Sequence, residues 1–159
     1  MRVIVVYDSW YGDTRKVAEE IARGIAATLG VDPAVVEVDH AVPAGLRAAD
    51  LVVVGTPNHF GGPTRKILLL VRGLRAGGRL GGMVAVFDTC FAGEAGKAAE
   101  KLARRFEDLQ GPGVPPPSEL SCLVDGMRGP VHDGELVRAR QYGVDLALLL
   151  RRTRIAVPA

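Results

Sequence analysis

Arg2-Val3-Ile4-Val5-Val6-Tyr7-Asp8-Ser9-Trp10-Tyr11-Gly12-Asp13-Thr14 decides how the rest of the chain is read. It opens as a continuous apolar run, Val3 to Val6, rich in β-branched residues. That is the pattern of a strand buried on both faces of a parallel sheet. Short polar residues and one glycine follow. Beyond Thr14 the period becomes helical: Val17, Ile21, Ile25 and Leu29 recur at four-residue spacing, with Ala18 and Ala22 beside them. The segment therefore reads as strand, tight loop, helix.

Such a loop is placed for chemistry. A helix N-terminus leaves backbone N–H groups unpaired and carries about half a positive charge. Ser9 and Thr14 add hydroxyl donors, and Gly12 lets the backbone come close to a ligand. Together these residues suit a phosphate monoester held by neutral donors. Ser9, Asp13 and Thr14 suit plain helix capping equally well, and this segment alone leaves both readings standing. Its spacing matches neither G-x-G-x-x-G nor G-x-x-x-x-G-K-[ST].

The same alternation continues along the chain. Strands are expected at Ala34 to Val38, Leu51 to Val54, Met83 to Phe87 and Glu119 to Val124. Helices are expected from Thr64 to Leu74, from Glu94 to Gln110 and from Gly134 to about Arg152, and Gly30 stops the first. Turn chemistry marks Gly55 to Pro63 and Asp88 to Gly93 as loops. Five strands alternating with helices imply a doubly wound parallel α/β sheet with helices on both faces. Order 2-1-3-4-5 is expected, with ligands bound at the carboxyl ends of the strands. The loops after strands 1, 3 and 4 then surround one crevice.

At 159 residues the chain is expected to form one domain over 1–159, with 48% apolar residues. No apolar run is long enough to span a membrane. A strand begins at once, so no signal peptide is expected. Two cysteines, Cys90 and Cys122, make no disulfide scaffold, and the default location is cytoplasmic. A net charge of +2 and a pI near 8.7 are too mild to argue for nucleic acid. No His, Cys, Asp or Glu cluster has metal-ligand spacing. Asp8, Asp13 and Asp88 have no catalytic partner in sequence.

Ser9-Trp10-Tyr11-Gly12-Asp13-Thr14 resembles the phosphate loop of flavodoxins, [ST]-x-T-G-x-T. Tyr7 to Thr14 is closer still to the variant in the flavodoxin domains of diiron flavoproteins. Two positions depart from the pattern. Tyr11 removes one hydroxyl donor, and Asp13 puts a negative charge near the phosphate. Thr56-Pro57-Asn58-His59-Phe60-Gly61 resembles the family's second flavin loop, and Asp88-Thr89-Cys90-Phe91 its third. No insertion splits the fifth strand, so the chain is similar to short-chain members.

The resemblance implies non-covalent FMN, with its phosphate at the first loop and its ring between the other two. Phe60 and Phe91 become the stacking candidates, with Trp10 and Tyr11 nearby. It also implies that a peptide at Phe60–Gly61 or Gly61–Gly62 turns over on reduction. His59 and Cys90 would lie beside the ring, although each also reads as an ordinary loop or core residue. The implied function is electron transport between redox partners, a donor reductase and an acceptor, with no catalytic residue. An FMN-dependent NAD(P)H:quinone reductase is the alternative, because Thr56 to Gly61 also resembles the loop of that family. A flavin-free binding module of the same fold is the third reading.

Overall fold

The computed structural model describes residues 1–156. The domain expected over 1–159 thus extends three residues past them. The strands are β1 (Val3–Tyr7), β2 (Ala34–Glu37), β3 (Leu51–Pro57), β4 (Met83–Cys90) and β5 (Ser118–Leu123). The α-helices are α1 (Asp13–Leu29), α2 (Pro43–Arg47), α3 (Arg65–Ala76), α4 (Lys97–Glu107) and α5 (Glu135–Ala156). All strand pairs are parallel and the order is β2-β1-β3-β4-β5, as the alternation predicts.

The period of two along each strand divides the core. Val3, Val5, Tyr7, Val53 and Phe87 pack with α1 and α5. Ile4, Val6, Val54 and Val86 pack with α2, α3 and α4 on the other face. Each such side chain, fully buried, contributes about 1.5–3 kcal/mol. The α1–α5 face closes backbone to backbone. A Cβ on Gly24 would lie 2.1 Å from the Arg140 carbonyl oxygen, and one on Gly143 would lie 2.1 Å from that of Ile21.

Several element ends differ from expectation. β3 runs on to Pro57 and β4 to Cys90, because Gly55, Thr56 and Pro57 pair in register with Phe87, Asp88 and Thr89. Sheet pairing there overrides turn chemistry. Gly55 is needed for packing: a Cβ on it would lie 1.9 Å from Phe87 Cζ. The fourth helix begins at Lys97, because Gly96 takes a left-handed φ of 78° after a short 3-10 turn at Ala92–Glu94. Residues 43–47 form an additional short helix, α2, with Pro43 in its first turn.

At the amino edge of the sheet, Asp50 accepts the Arg2 backbone N–H and pairs with Arg154. No described helix is long and apolar enough to cross a membrane.

Candidate functional site

A cavity of about 470 Å³ opens at the carboxyl edge of the sheet, between the loops after β1, β3, β4 and β5. The first loop enters it through Ser9, Trp10, Tyr11, Asp13 and Thr14, and the second through Pro57, Asn58, His59, Phe60 and Gly61. From the third come Thr89, Cys90 and Phe91. This is the convergence that the strand order implies.

Direct bonds hold the loops together. Thr14 and Thr89 share a buried hydroxyl–hydroxyl hydrogen bond of 2.9 Å, joining the first loop to the third. Thr64 Oγ1 donates to the buried Asp8 carboxylate at 2.6 Å, joining the first loop to the start of α3. The Asn58 N–H donates to the Thr89 carbonyl at 2.8 Å, joining the second loop to the third. A 2.9 Å bond from the Val124 N–H to the Cys90 carbonyl ties in the segment after β5. The pocket walls are thereby set before any ligand arrives.

At the first loop the backbone is open. Gly12 caps α1 at φ 92°, and no side chain caps that helix end. The first bond of the helix runs from the Lys16 N–H to the Gly12 carbonyl, so the N–H groups of the three residues before Lys16 have no helical acceptor. Ser9 Oγ accepts the Gly12 N–H at 3.0 Å, which tightens the loop and leaves the hydroxyl proton free to donate. Asp13 is buried against Gly129, and a Cβ on that glycine would lie 2.5 Å from its carboxylate. Among the described residues Asp13 accepts no side-chain hydrogen bond.

The opposite end is aromatic. His59 and Gly62 exchange two backbone hydrogen bonds, of 2.8 and 3.1 Å, around Phe60 at φ 49° and Gly61 at φ 78°. Left-handed values at both central positions make a type I′ turn, which favours Asn or Gly in the place of Phe60. Holding a bulky residue there costs about 1–2 kcal/mol, and Phe60 is nevertheless 96% exposed. Trp10 meets His59 edge-on at 5.0 Å, and His59 meets Phe60 at 4.6 Å. Phe91 and Tyr11 are half-exposed, and Arg128 stands 5.6 Å over the Tyr11 ring.

Two expected site residues are corrected. Thr56 is fully buried below the second loop: it accepts the Thr64 N–H at 3.1 Å and donates to the Pro57 carbonyl. Asp88 is fully buried beneath the third loop, where it accepts the Ala99 N–H at 2.9 Å and the Ser121 hydroxyl. Burial pushes the Asp88 carboxyl above its usual range, against those two bonds. Both side chains point to the α3–α4 face and brace it. Gly12 shapes the loop as the cap of α1 and is not itself a lining residue. Cys90 does reach the cavity, with Sγ 3.2 Å from Ser121 Oγ, and burial raises its thiol pKa.

Sequence reasoning missed Glu94, Val124, Gly126 and Met127, all of which line the cavity. The signal was available for the last three, since any segment after a strand of a parallel sheet lies at this edge. The expected FMN can be tested on one atom. Asn58 Oδ1 is enclosed and has no hydrogen-bond partner. A buried amide oxygen without a donor is costly, and the imide N–H of a flavin ring is a donor of the right kind. The free N–H groups at α1 suit its phosphate, the aromatic rim suits its ring, and the volume lies within the usual range of about 300–1,000 Å³. The residues present fit the group. Among the described residues there is no metal-binding cluster.

Comparisons with known proteins agree with this geometry. The family profile described as "Flavodoxin" matches residues 5–112. A flavodoxin from Aquifex aeolicus (strain VF5) is 35% identical over 60 residues, which are 38% of this chain and 32% of that protein. The match therefore spans about a third of the relative's length. Among solved structures, a flavodoxin from the domain Archaea superposes with a TM-score of 0.78 at 23% identity, covering 95% of this chain and 99% of that one. Rubredoxin oxygen:oxidoreductase from Desulfovibrio gigas gives a TM-score of 0.73 at 17% identity, covering 98% of this chain and 37% of that one. At these identities the two structures speak for the fold alone.

Proposed function

The chain belongs to the flavodoxin family, whose members bind FMN, and from that premise we propose that it is an electron carrier working between a donor reductase and an acceptor protein. The observation that carries this reading is the cavity at the carboxyl edge, open at α1 and aromatic at its mouth.

FMN, when bound, supplies one-electron chemistry. The chain's own residues have simpler tasks. The N–H groups at the start of α1, with the Ser9 hydroxyl, hold the phosphate as neutral donors. Thr14 and Thr89 lock the first loop to the third, so the cradle needs no rearrangement. Asn58 Oδ1 accepts a ring N–H and so fixes the ring's orientation. Phe60 and Phe91, with Trp10 and Tyr11, cover apolar ring surface and keep water from it. Gly61 gives the second loop a peptide that can turn over at little steric cost. No general acid, base or nucleophile is required.

The visible spectrum of the purified protein tests the reading, before and after FMN is added. A yellow protein whose Trp10 fluorescence falls on titration with FMN is expected. A colourless protein that takes up no FMN would leave the flavin-free module standing. Steady NAD(P)H oxidation with a quinone would favour the reductase instead.

A further inference from the structure

We propose that the face formed by α3 and α4, with the Phe60 turn at its upper end, is a docking surface for an acidic redox protein. The inference rests on the carrier reading for its purpose, but its observations are independent of FMN.

A second groove of about 530 Å³ runs between these helices, lined among others by Gly62, Leu68, Arg75, Lys101, Arg104 and Arg105. It begins where the first cavity ends. Gly61 lines one and Gly62 the other, and Lys101 Nζ would lie 3.8 Å from a Cβ on Gly61. Any partner seated in this groove therefore also touches the mouth of the site.

The charge of the face is positive on balance. α3 carries Arg65, Lys66, Arg72 and Arg75 and no acidic residue. The cations of α4 outnumber Glu100 and Glu107. Lys66 pairs with Asp39, Arg75 with Asp108, Lys97 with Glu94 and Arg104 with Glu100, but these are exposed pairs of little strength. Lys101 has no ion-pair partner among the described residues. α1, across the sheet, is balanced: Asp13, Glu19 and Glu20 offset Arg15, Lys16 and Arg23. The other basic cluster, Arg151 to Arg154, ends α5 at the amino edge, away from the cavity. Lys97 and Lys101 stand at the mouth end of this face, where their side chains would lie 4.0 and 3.8 Å from a Cβ on Gly61, and Arg72, Arg75, Arg104 and Arg105 continue the positive charge down the helices from there.

The apolar part sits at the end of this field. Phe60 is 96% exposed, and Phe91 and the outward Leu69 of α3 are about half-exposed. Interfaces bind through aromatic anchors within a polar rim, and charge complementarity sets the encounter rate. The partner that fits has a carboxylate-rich surface beside an apolar patch over its own redox centre.

Amide NMR of the cofactor-free protein, titrated with oxidised plastocyanin as an acidic one-electron acceptor, reads docking directly. Shifts at Phe60 to Gly62 and along α4, present at low ionic strength and lost at high, are expected. Shifts confined to α5, or none at low salt, would overturn the proposal. Equal perturbation by anionic vesicles or a DNA duplex would also overturn it. Stopped-flow mixing of the photoreduced, FMN-loaded protein adds a second reading. The rate with plastocyanin should fall as salt rises, and the rate with basic cytochrome c should climb. Lys101→Glu should slow the plastocyanin reaction about tenfold at low salt, and Arg23→Glu should not. Salt-independent, equal rates with both acceptors would defeat the docking surface and leave the carrier intact. Failure to take up FMN, with the NMR map as expected, would do the reverse.

Discussion

Asp13 is the residue whose charge works against the site around it. It stands in the first turn of α1, buried at the cavity wall, where an anion favours the helix but opposes a phosphate. Asp13→Asn should therefore tighten FMN binding by about tenfold, or ~1.4 kcal/mol, while costing the cofactor-free protein a few tenths of a kcal/mol. Fluorescence titration and thermal melts of the same variant measure both. An unchanged affinity would mean that the phosphate end of the ligand lies elsewhere. Asp13 and Tyr11 were legible as departures in the sequence itself. Thr56 and Asp88 were misplaced for a physical reason: each continues its strand, so the two-residue period turns it away from the cavity. Extending the strands by three residues would have read both correctly.

Among the elements, the helices show how opposite the fates of two glycines can be. Helix propensity alone predicts that Gly→Ala stabilises by roughly 0.5–1 kcal/mol. That gain is expected for Gly73→Ala in α3, because a Cβ there meets nothing within 4 Å. Gly143→Ala should instead lower stability by about 2 kcal/mol, or roughly 4–8 °C, because the added carbon meets α1 backbone that cannot rotate away. Urea melts of the two variants should move in opposite directions.

The loop after β5 gives a pH-dependent counterpart. Asp125, 2.6 Å from His132 Nδ1, raises that imidazole above its ordinary 6.5. Its small contribution is complete below the unfolded value and fades as pH rises through the higher folded one. NMR titration should show the raised midpoint, and Asp125→Asn should bring it back. The periodic elements were readable from sequence because burial dictates their pattern. The loop at 124–127 was readable only through topology: a turn signal by itself says nothing of what the turn faces, but its place after β5 puts it at the carboxyl edge.

For the molecule as a whole, the parallel sheet gathers every chemical loop at one edge and leaves the other to structure. A ligand held at that edge only in the folded state must stabilise the fold. FMN at a hundred times its Kd should add about 2.7 kcal/mol, seen as a rise in Tm of roughly 5–11 °C. A melt insensitive to FMN would show that the cavity does not bind it.

The opposite edge has a practical use. Asp50 holds both Arg2 and Arg154 there. A gold electrode tethered through a linker at either position would carry the protein with its aromatic mouth turned outward. Voltammetry of such a film could then follow exchange with a dissolved partner without the anchor standing in the way.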